Sequence, residues 1–392
     1  LPQGKARSNM RAMQQAAPQK TTIFTRISAL ADELGAINLG QGFPDLPEPP
    51  ELLEAARRAL MDHPNQYPPM RGLPVLREAI AQWYAREQVL KVSPSEVVVT
   101  SGATEALAAS IFAVIQPGDE AVLFQPFYDA YLPLVERAGG VAKTVNLVPP
   151  DWSIPFDALE QAITPRTRLI VLNTPNNPTG TLVPREELER LATLCERHNI
   201  TLLCDEVWEA MIFDGTAHVS PLHLASLRAR SIKIGSAGKI FSLTGWKIGW
   251  AVAAPPLADR IAAQHQFLTF TTATPLQRAV AEGLALPGEW FAAQRARYQE
   301  GRRFLAQGLE QAGYTVLPSA GTWFLSIDLA ASGLPADDEA VAERLIREAG
   351  VATTPVSAFC RDDPMRGHLR FCFAKQRGTL AEALARLVKW QK

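Results

Sequence analysis

Cysteine is scarce, with four in 392 residues: Cys195, Cys204, Cys360 and Cys372. No two stand at the short spacing of a zinc site, and four are too few for a disulfide framework, so free thiols in a reducing cytoplasm are expected. The six histidines are scattered, with no His-x-x-x-His or His-x-Glu pattern, and metal catalysis is not expected. An excess of either charge is missing too. With 39 basic and 40 acidic side chains the formal net charge is −1, so no overall field draws the chain to nucleic acid or to an acidic membrane. No apolar run reaches the roughly 18 residues of a membrane span. The basic N-terminal residues are not followed by the apolar core of a signal peptide, and no internal repeat stands out.

What is present is ordinary for a globular protein: 47% hydrophobic and 20% charged residues, over a length that suits two domains. Residues 1–20 are polar and rich in Gln and Ala, and are expected to form a mobile arm. Apolar residues at Ile23, Ile27, Leu30 and Leu34 then predict a helix, and Ile37-Asn-Leu-Gly-Gln-Gly-Phe-Pro-Asp45 a short strand running into a turn. Glu51–Met61 and Leu76–Glu87 read as helices, separated by a loop that carries Tyr67. From Glu96 a strand–turn–helix pattern recurs. Strands are expected at 97–100, 120–124, 141–145, 169–172 and 201–204, and helices at 103–115, 131–138 and 184–198. That alternation predicts an α/β fold with a mostly parallel sheet between helices. Past Pro275 the composition shifts to a long helical stretch over 290–313, short strands near 314–316, 324–327 and 369–373, and helices near 338–349 and up to 390. These form a smaller α+β domain. The expected division is a large domain over 46–286 and a small one over 287–392, to which residues 21–45 contribute.

Polar residues collect where strands end, which is where open parallel sheets bind ligands. Ser101-Gly-Ala-Thr104 opens a helix, whose free amides and dipole suit a phosphate. Asn173-Thr-Pro-Asn-Asn-Pro-Thr-Gly180, Asp205-Glu206 and Gly235-Ser-Ala-Gly-Lys239 follow three further strands. The last lies in Ser231–Val252, where two strand-like runs bracket a turn-rich segment holding Ser236, Lys239, Thr244 and Lys247. A lysine among small and apolar neighbours loses solvent. That favours its neutral amine, a nucleophile toward aldehydes.

Taken together and in order, Gly40-Gln-Gly-Phe-Pro-Asp45, Asn177-Pro-Thr-Gly180, Asp205-Glu206, Ser236-Ala-Gly-Lys239, Thr244-Gly-Trp-Lys-Ile-Gly249 and Arg370-Phe-Cys-Phe-Ala374 make the chain resemble the pyridoxal-phosphate aminotransferases of fold type I, class I/II. The resemblance runs from about residue 20 to the end. Thr21-Thr-Ile-Phe-Thr-Arg-Ile-Ser-Ala-Leu30 and Asn65-Gln-Tyr67 look most like the bacterial methionine aminotransferases, with the kynurenine/glutamine transaminase K group next.

The resemblance implies roles. Lys239 bonds the aldehyde of pyridoxal 5′-phosphate and later carries the proton, and Asp205 keeps the ring nitrogen protonated. Asn177 donates to the 3′ oxygen and also lies against substrate, while Tyr128 stacks on the ring. The phosphate is held by Gly102, Ala103, Thr104, Ser236 and Lys247, and by Tyr67 from a second copy, which implies a homodimer with shared sites. Arg370 takes the substrate α-carboxylate, helped by the Gly42 amide; Phe24 and Tyr128 line a pocket for a neutral side chain. Trp208 is a departure, since the family usually has tyrosine there. Indole N–H can donate but not ionise, so a shifted cofactor acidity or a reshaped pocket is expected. The implied activity is ping-pong transamination between a methionine-, glutamine- or aromatic-type amino acid and a 2-oxo acid. The alternatives are a cysteine-conjugate β-lyase on the same site, and a cofactor-binding sensor without turnover. The latter lacks a DNA-binding segment ahead of the first helix.

Overall fold

The computed structural model describes residues 23–391, without the side chain of Phe24; the arm expected over 1–20 lies outside them. The first strand, β1 (Ile37–Asn38), follows the expected helix at Ile23–Glu33. Seven strands then build the main sheet: β2 (Val97–Thr100), β3 (Glu120–Gln125), β4 (Val141–Asn146), β5 (Thr167–Asn173), β6 (Thr201–Asp205), β7 (Ser231–Ser236) and β8 (Gly249–Ala253). Their spatial order is β2-β8-β7-β6-β5-β3-β4. All pairs from β7 to β4 are parallel, whereas β8 runs antiparallel to both of its neighbours.

Successive strand residues point to opposite faces, and the interior divides accordingly. Leu123, Leu169, Val171 and Leu203 pack into one buried cluster, while Val122, Phe124, Ile170, Leu172, Leu202 and Cys204 pack into another. Both faces of the sheet are covered, which is why these strands read as continuous apolar runs. Two covering helices begin at proline, Pro50–Asp62 and Pro74–Gln88, where the missing N–H costs nothing. The helix Arg185–Arg197 carries Glu186 and Glu187 in its first turn and Arg197 in its last, as the helix dipole favours. Helices at Pro255–Leu268 and Thr274–Leu284 stand where no element was expected.

The remaining strands are β9 (Thr315–Val316), β10 (Phe324–Asp328), β11 (Val351–Ala352), β12 (Thr354–Pro355) and β13 (His368–Cys372). Four make an antiparallel sheet in the order β12-β13-β10-β9, and β11 pairs in parallel with β1. Further bonds from Leu39 N–H to Ala352 C=O and from Cys372 N–H to Leu39 C=O tie the segment after β1 to this C-terminal part. Arg370 lies between Ser326 and Thr354 in the register. Among the described residues no helix is long and apolar enough to cross a membrane.

Candidate active site

Parallel register places strand ends side by side. Asn173 at the end of β5 pairs with Asp205 at the end of β6, and its Nδ2 donates to the Asp205 carbonyl at 2.8 Å. Beyond these ends lie two adjoining cavities. The inner one, about 280 Å³, is bordered by Gly102, Ala103, Thr104, Asp205, Ser236 and Lys247. The outer one, about 220 Å³, is bordered by Gln41, Gly42, Asp129, Phe359 and Arg370. Tyr128, Asn177, Trp208 and Lys239 belong to both.

Asp205 is buried. Tyr131 Oη donates to its Oδ2 at 2.7 Å and the Val207 N–H to its Oδ1 at 3.3 Å. Burial pushes the carboxyl up to about 6 against those two bonds. Lys239 is its counterpart, since burial brings the amine down to about 8, opposed chiefly by the Asp205 charge. One acid without a paired cation and one softened amine therefore share an enclosed space.

The helix Ala103–Val114 starts after Gly102, which has φ +82, a backbone state that glycine adopts without cost. The Ala103 and Thr104 amides have no intrahelical acceptor and border the inner cavity with Ser236. A Cβ on Gly102 would lie 3.1 Å from Lys247 Nζ, so the ammonium sits directly against the helix start. Free amides, a hydroxyl and a cation converge as a dianionic group requires.

Arg370 is buried with no carboxylate partner among the described residues. Its Nη1 donates to Asn177 Oδ1 at 2.8 Å, and its Nη2 to Gly40 C=O at 2.6 Å and Thr354 Oγ1 at 3.3 Å. Its Nε has no partner. Phe324 and Phe359 flank it, with ring centroids 4.0 and 4.8 Å from Cζ. Burial brings the guanidinium down to about 10. A desolvated cation of this kind calls for an anion. Gly42 is fixed by packing, because a Cβ there would meet the Phe324 ring at 2.5 Å.

Of the expected site residues whose side chains are described, only Tyr67 fails to appear in these cavities. Tyr67 is 82% exposed, packs edge-on against Phe270 at 5.7 Å, and does not reach the cavities of its own chain. The side chain of Phe24 lies outside the described residues. Tyr131 was not singled out, since in sequence it only opens the helix expected over 131–138. Lys233 was missed as well. It is fully buried one strand away, with Nζ 2.5 Å from Glu206 and 2.6 Å from Glu209. Glu206 also meets His218 at 2.5 Å and accepts from Ser220 Oγ at 2.8 Å. Glu206, Glu209 and His218 are close enough together to hold a metal ion, but the Lys233 ammonium already bridges the two carboxylates.

Residues 35–387 match the family model for aminotransferase class I and II. The chain belongs to that family. Its members use pyridoxal 5′-phosphate, and the unpaired Asp205, the amide–Lys247 cradle and the softened Lys239 amine are residues that fit this group. This aminotransferase is 40% identical over 370 residues to the methionine aminotransferase of Escherichia coli K12, covering 94% of this chain and 95% of that one. The solved structure of N-succinyldiaminopimelate aminotransferase from Mycobacterium tuberculosis matches with a TM-score of 0.91 at 41% identity, covering 95% of this chain and 98% of that one. Human kynurenine–oxoglutarate transaminase 1 is 34% identical, with 92% of this chain and 94% of that one aligned.

Proposed function

We propose that this aminotransferase moves the amino group of a neutral L-amino acid of the methionine, glutamine or aromatic type to a 2-oxo acid, in two alternating half-reactions, as a homodimer. The observation that carries the reading is Arg370, a buried guanidinium with no carboxylate partner among the described residues, which opens onto the same cavity as Lys239. When bound, pyridoxal phosphate supplies the aldehyde that takes up the amino group and a ring that accepts the electron pair left at the substrate Cα. The protein's part is binding and proton handling. Arg370 holds the α-carboxylate, and Asn177 stands between it and the inner cavity. Lys239 Nζ would take the proton from the substrate Cα and hold it for return, a shuttle suited to an amine near neutrality. Asp205 holds a proton at the ring nitrogen, with Tyr131 fixing the carboxylate's direction.

Charge favours a neutral side chain. Arg370 is the one arginine among the described residues of the outer cavity, and Asp129 is an acid at its edge, so a second carboxylate finds no cation beyond Arg370 and Lys239. The E. coli methionine aminotransferase supports this direction. Tyr67 is assigned to the site of a neighbouring copy. The cleft is assigned to the meeting of a large domain over 46–286 with a smaller one over 287–392, joined by 21–45.

The test is a screen of amino acids against several oxo acids. The expected result is turnover of neutral donors only in the presence of an acceptor. Pyruvate and thiol released from a cysteine conjugate without any acceptor would assign β-elimination instead. In the same assay Arg370→Gln is expected to lower kcat/KM by about a hundredfold or more for every donor, as loss of a desolvated, charge-assisted pair implies.

A further inference from the structure

The amine of Lys239 makes no hydrogen bond and no ion pair within 4.0 Å among the described residues; its contacts are aromatic. Its Nζ lies over the Trp208 ring at 4.9 Å from the centroid and over the Trp323 ring at 5.2 Å. The two indoles meet edge to face, 4.8 Å apart at 77°. Both distances fall within the range where a cation is drawn to a ring face, and indole is the strongest such face among side chains.

Trp323 is an expensive choice for this position. It is fully buried beside β10 and its indole N–H has no acceptor, a loss that phenylalanine or leucine would avoid. Tyr298 stacks on it at 5.8 Å and 29°, so the ring is held in place. What indole adds is a π face that leucine lacks and that is stronger than phenylalanine's, and the charged group on that face is Lys239.

We propose that Trp208 and Trp323 form a two-walled aromatic cage that holds and orients the Lys239 amine as a cation whenever it is free of the cofactor, making Trp323 a positioning residue for the reaction. The other groups facing this amine are Asp205 on β6, which favours its charge, and Lys247 and Arg370, which oppose it; the Cys372 thiol on β13 stands nearby. Burial favours the neutral amine, and the ring faces work against burial. The cage thus sets how much nucleophile is present at a given pH and keeps the proton-carrying form aimed between the two cavities.

The experiment uses the cofactor-stripped full chain. Carbamylation of Lys239 by cyanate is followed against pH, with the site located by mass spectrometry, and uptake of pyridoxal phosphate is followed by absorbance over the same range. In the parent the midpoint is expected near pH 8, from the amine at about 8. Trp323→Leu and Trp208→Leu are each expected to move it down by roughly half a unit to one unit, and Trp323→Phe by less because it keeps a ring face. At pH 7 the leucine variants then react roughly three- to fivefold faster than the parent. A merely structural role would change rates at all pH values alike and leave the midpoint in place. Should Trp323→Leu fail to fold, Trp208→Leu and Trp323→Phe decide. Midpoints unmoved or raised in variants with parental circular dichroism would overturn the cage and leave the transamination reading untouched, since no amino acid enters the assay.

Discussion

At the scale of single residues, Asp205 is badly placed until a cation arrives. Its folded pKa of about 6 lies above the ordinary 3.8, so the folded chain holds this proton more firmly than the unfolded one. The resulting stability is complete below about pH 4 and is lost as pH rises through 6, a change of roughly 3 kcal/mol for a shift of this size. Stripped of cofactor, Asp205→Asn is therefore expected to resist urea better than the parent at pH 8, and to show little difference at pH 4. Glu206 behaves in the opposite sense. Burial opposes its charge, but Lys233 and His218 prevail and bring it from 4.5 to about 2. Its stabilisation is full above about pH 4.5 and is lost as pH falls toward 2. Replacing Lys233 with Met strands both carboxylates, and unfolding free energy is expected to fall by about 3–5 kcal/mol in denaturant titrations at pH 7. Strand ends drew attention to Asp205 and to the segments holding Asn177 and Lys239, and an apolar strand to Arg370, but the roles expected of these four came from the resemblance to a family. Lys233 could not. Ser231-Ile-Lys-Ile-Gly-Ser236 shows a lysine in a strand, but not that two acids from the turn after the preceding strand, β6, lie beside it.

At the scale of elements, the proposed phosphate cradle depends on how closely β8 approaches the helix Ala103–Val114. A Cβ on Gly249 would sit 2.6 Å from the Ala103 nitrogen and from the Gly102 carbonyl carbon, both of them backbone atoms that cannot rotate away. Gly249→Ala is expected to displace the helix start, weaken cofactor binding about tenfold in an absorbance titration, and cost about 1–3 kcal/mol in stability. The strands of the main sheet were foreseen within about a residue or two, because β-branched and apolar runs punctuated by glycine and proline carry a strong local signal. The helices Pro255–Leu268 and Thr274–Leu284 were not. Pro255-Pro256 and Thr274-Pro275 read as breaks in the chain, although proline at a first helical turn is a start. The strands β11 and β12 are two residues each, too short for any periodicity to register.

At the scale of the whole molecule, the site is assembled from parts distant in sequence: Gly40, Asn177 and Arg370 meet through the hydrogen bonds of one guanidinium. Strand order was beyond the sequence, since alternating elements predict parallel pairing but not which strand lies beside which. Tyr67 is the residue on which the proposed assembly turns, and Phe270 beside it is 43% exposed. If the proposed shared sites exist, mixing Tyr67→Ala with Lys239→Ala subunits after dissociation regains activity above the average of the two parents, because one mixed site is intact. Separate sites would give no gain over that average. A last consequence follows from β8. Lys239 and Lys247 lie between β7 and β8, which pair with each other, and β8 is bonded on its far side to β2. Both stems of that hairpin are thus bolted into the sheet between β2 and β6, so the proposed anchor for the cofactor is held by paired strands on both sides. Any gate that opens and shuts around an incoming molecule has to be the facing wall, the chain around Gly40 and the strands that carry Phe324 and Arg370, and amide exchange is expected to be quicker there than along 231–236 and 249–253.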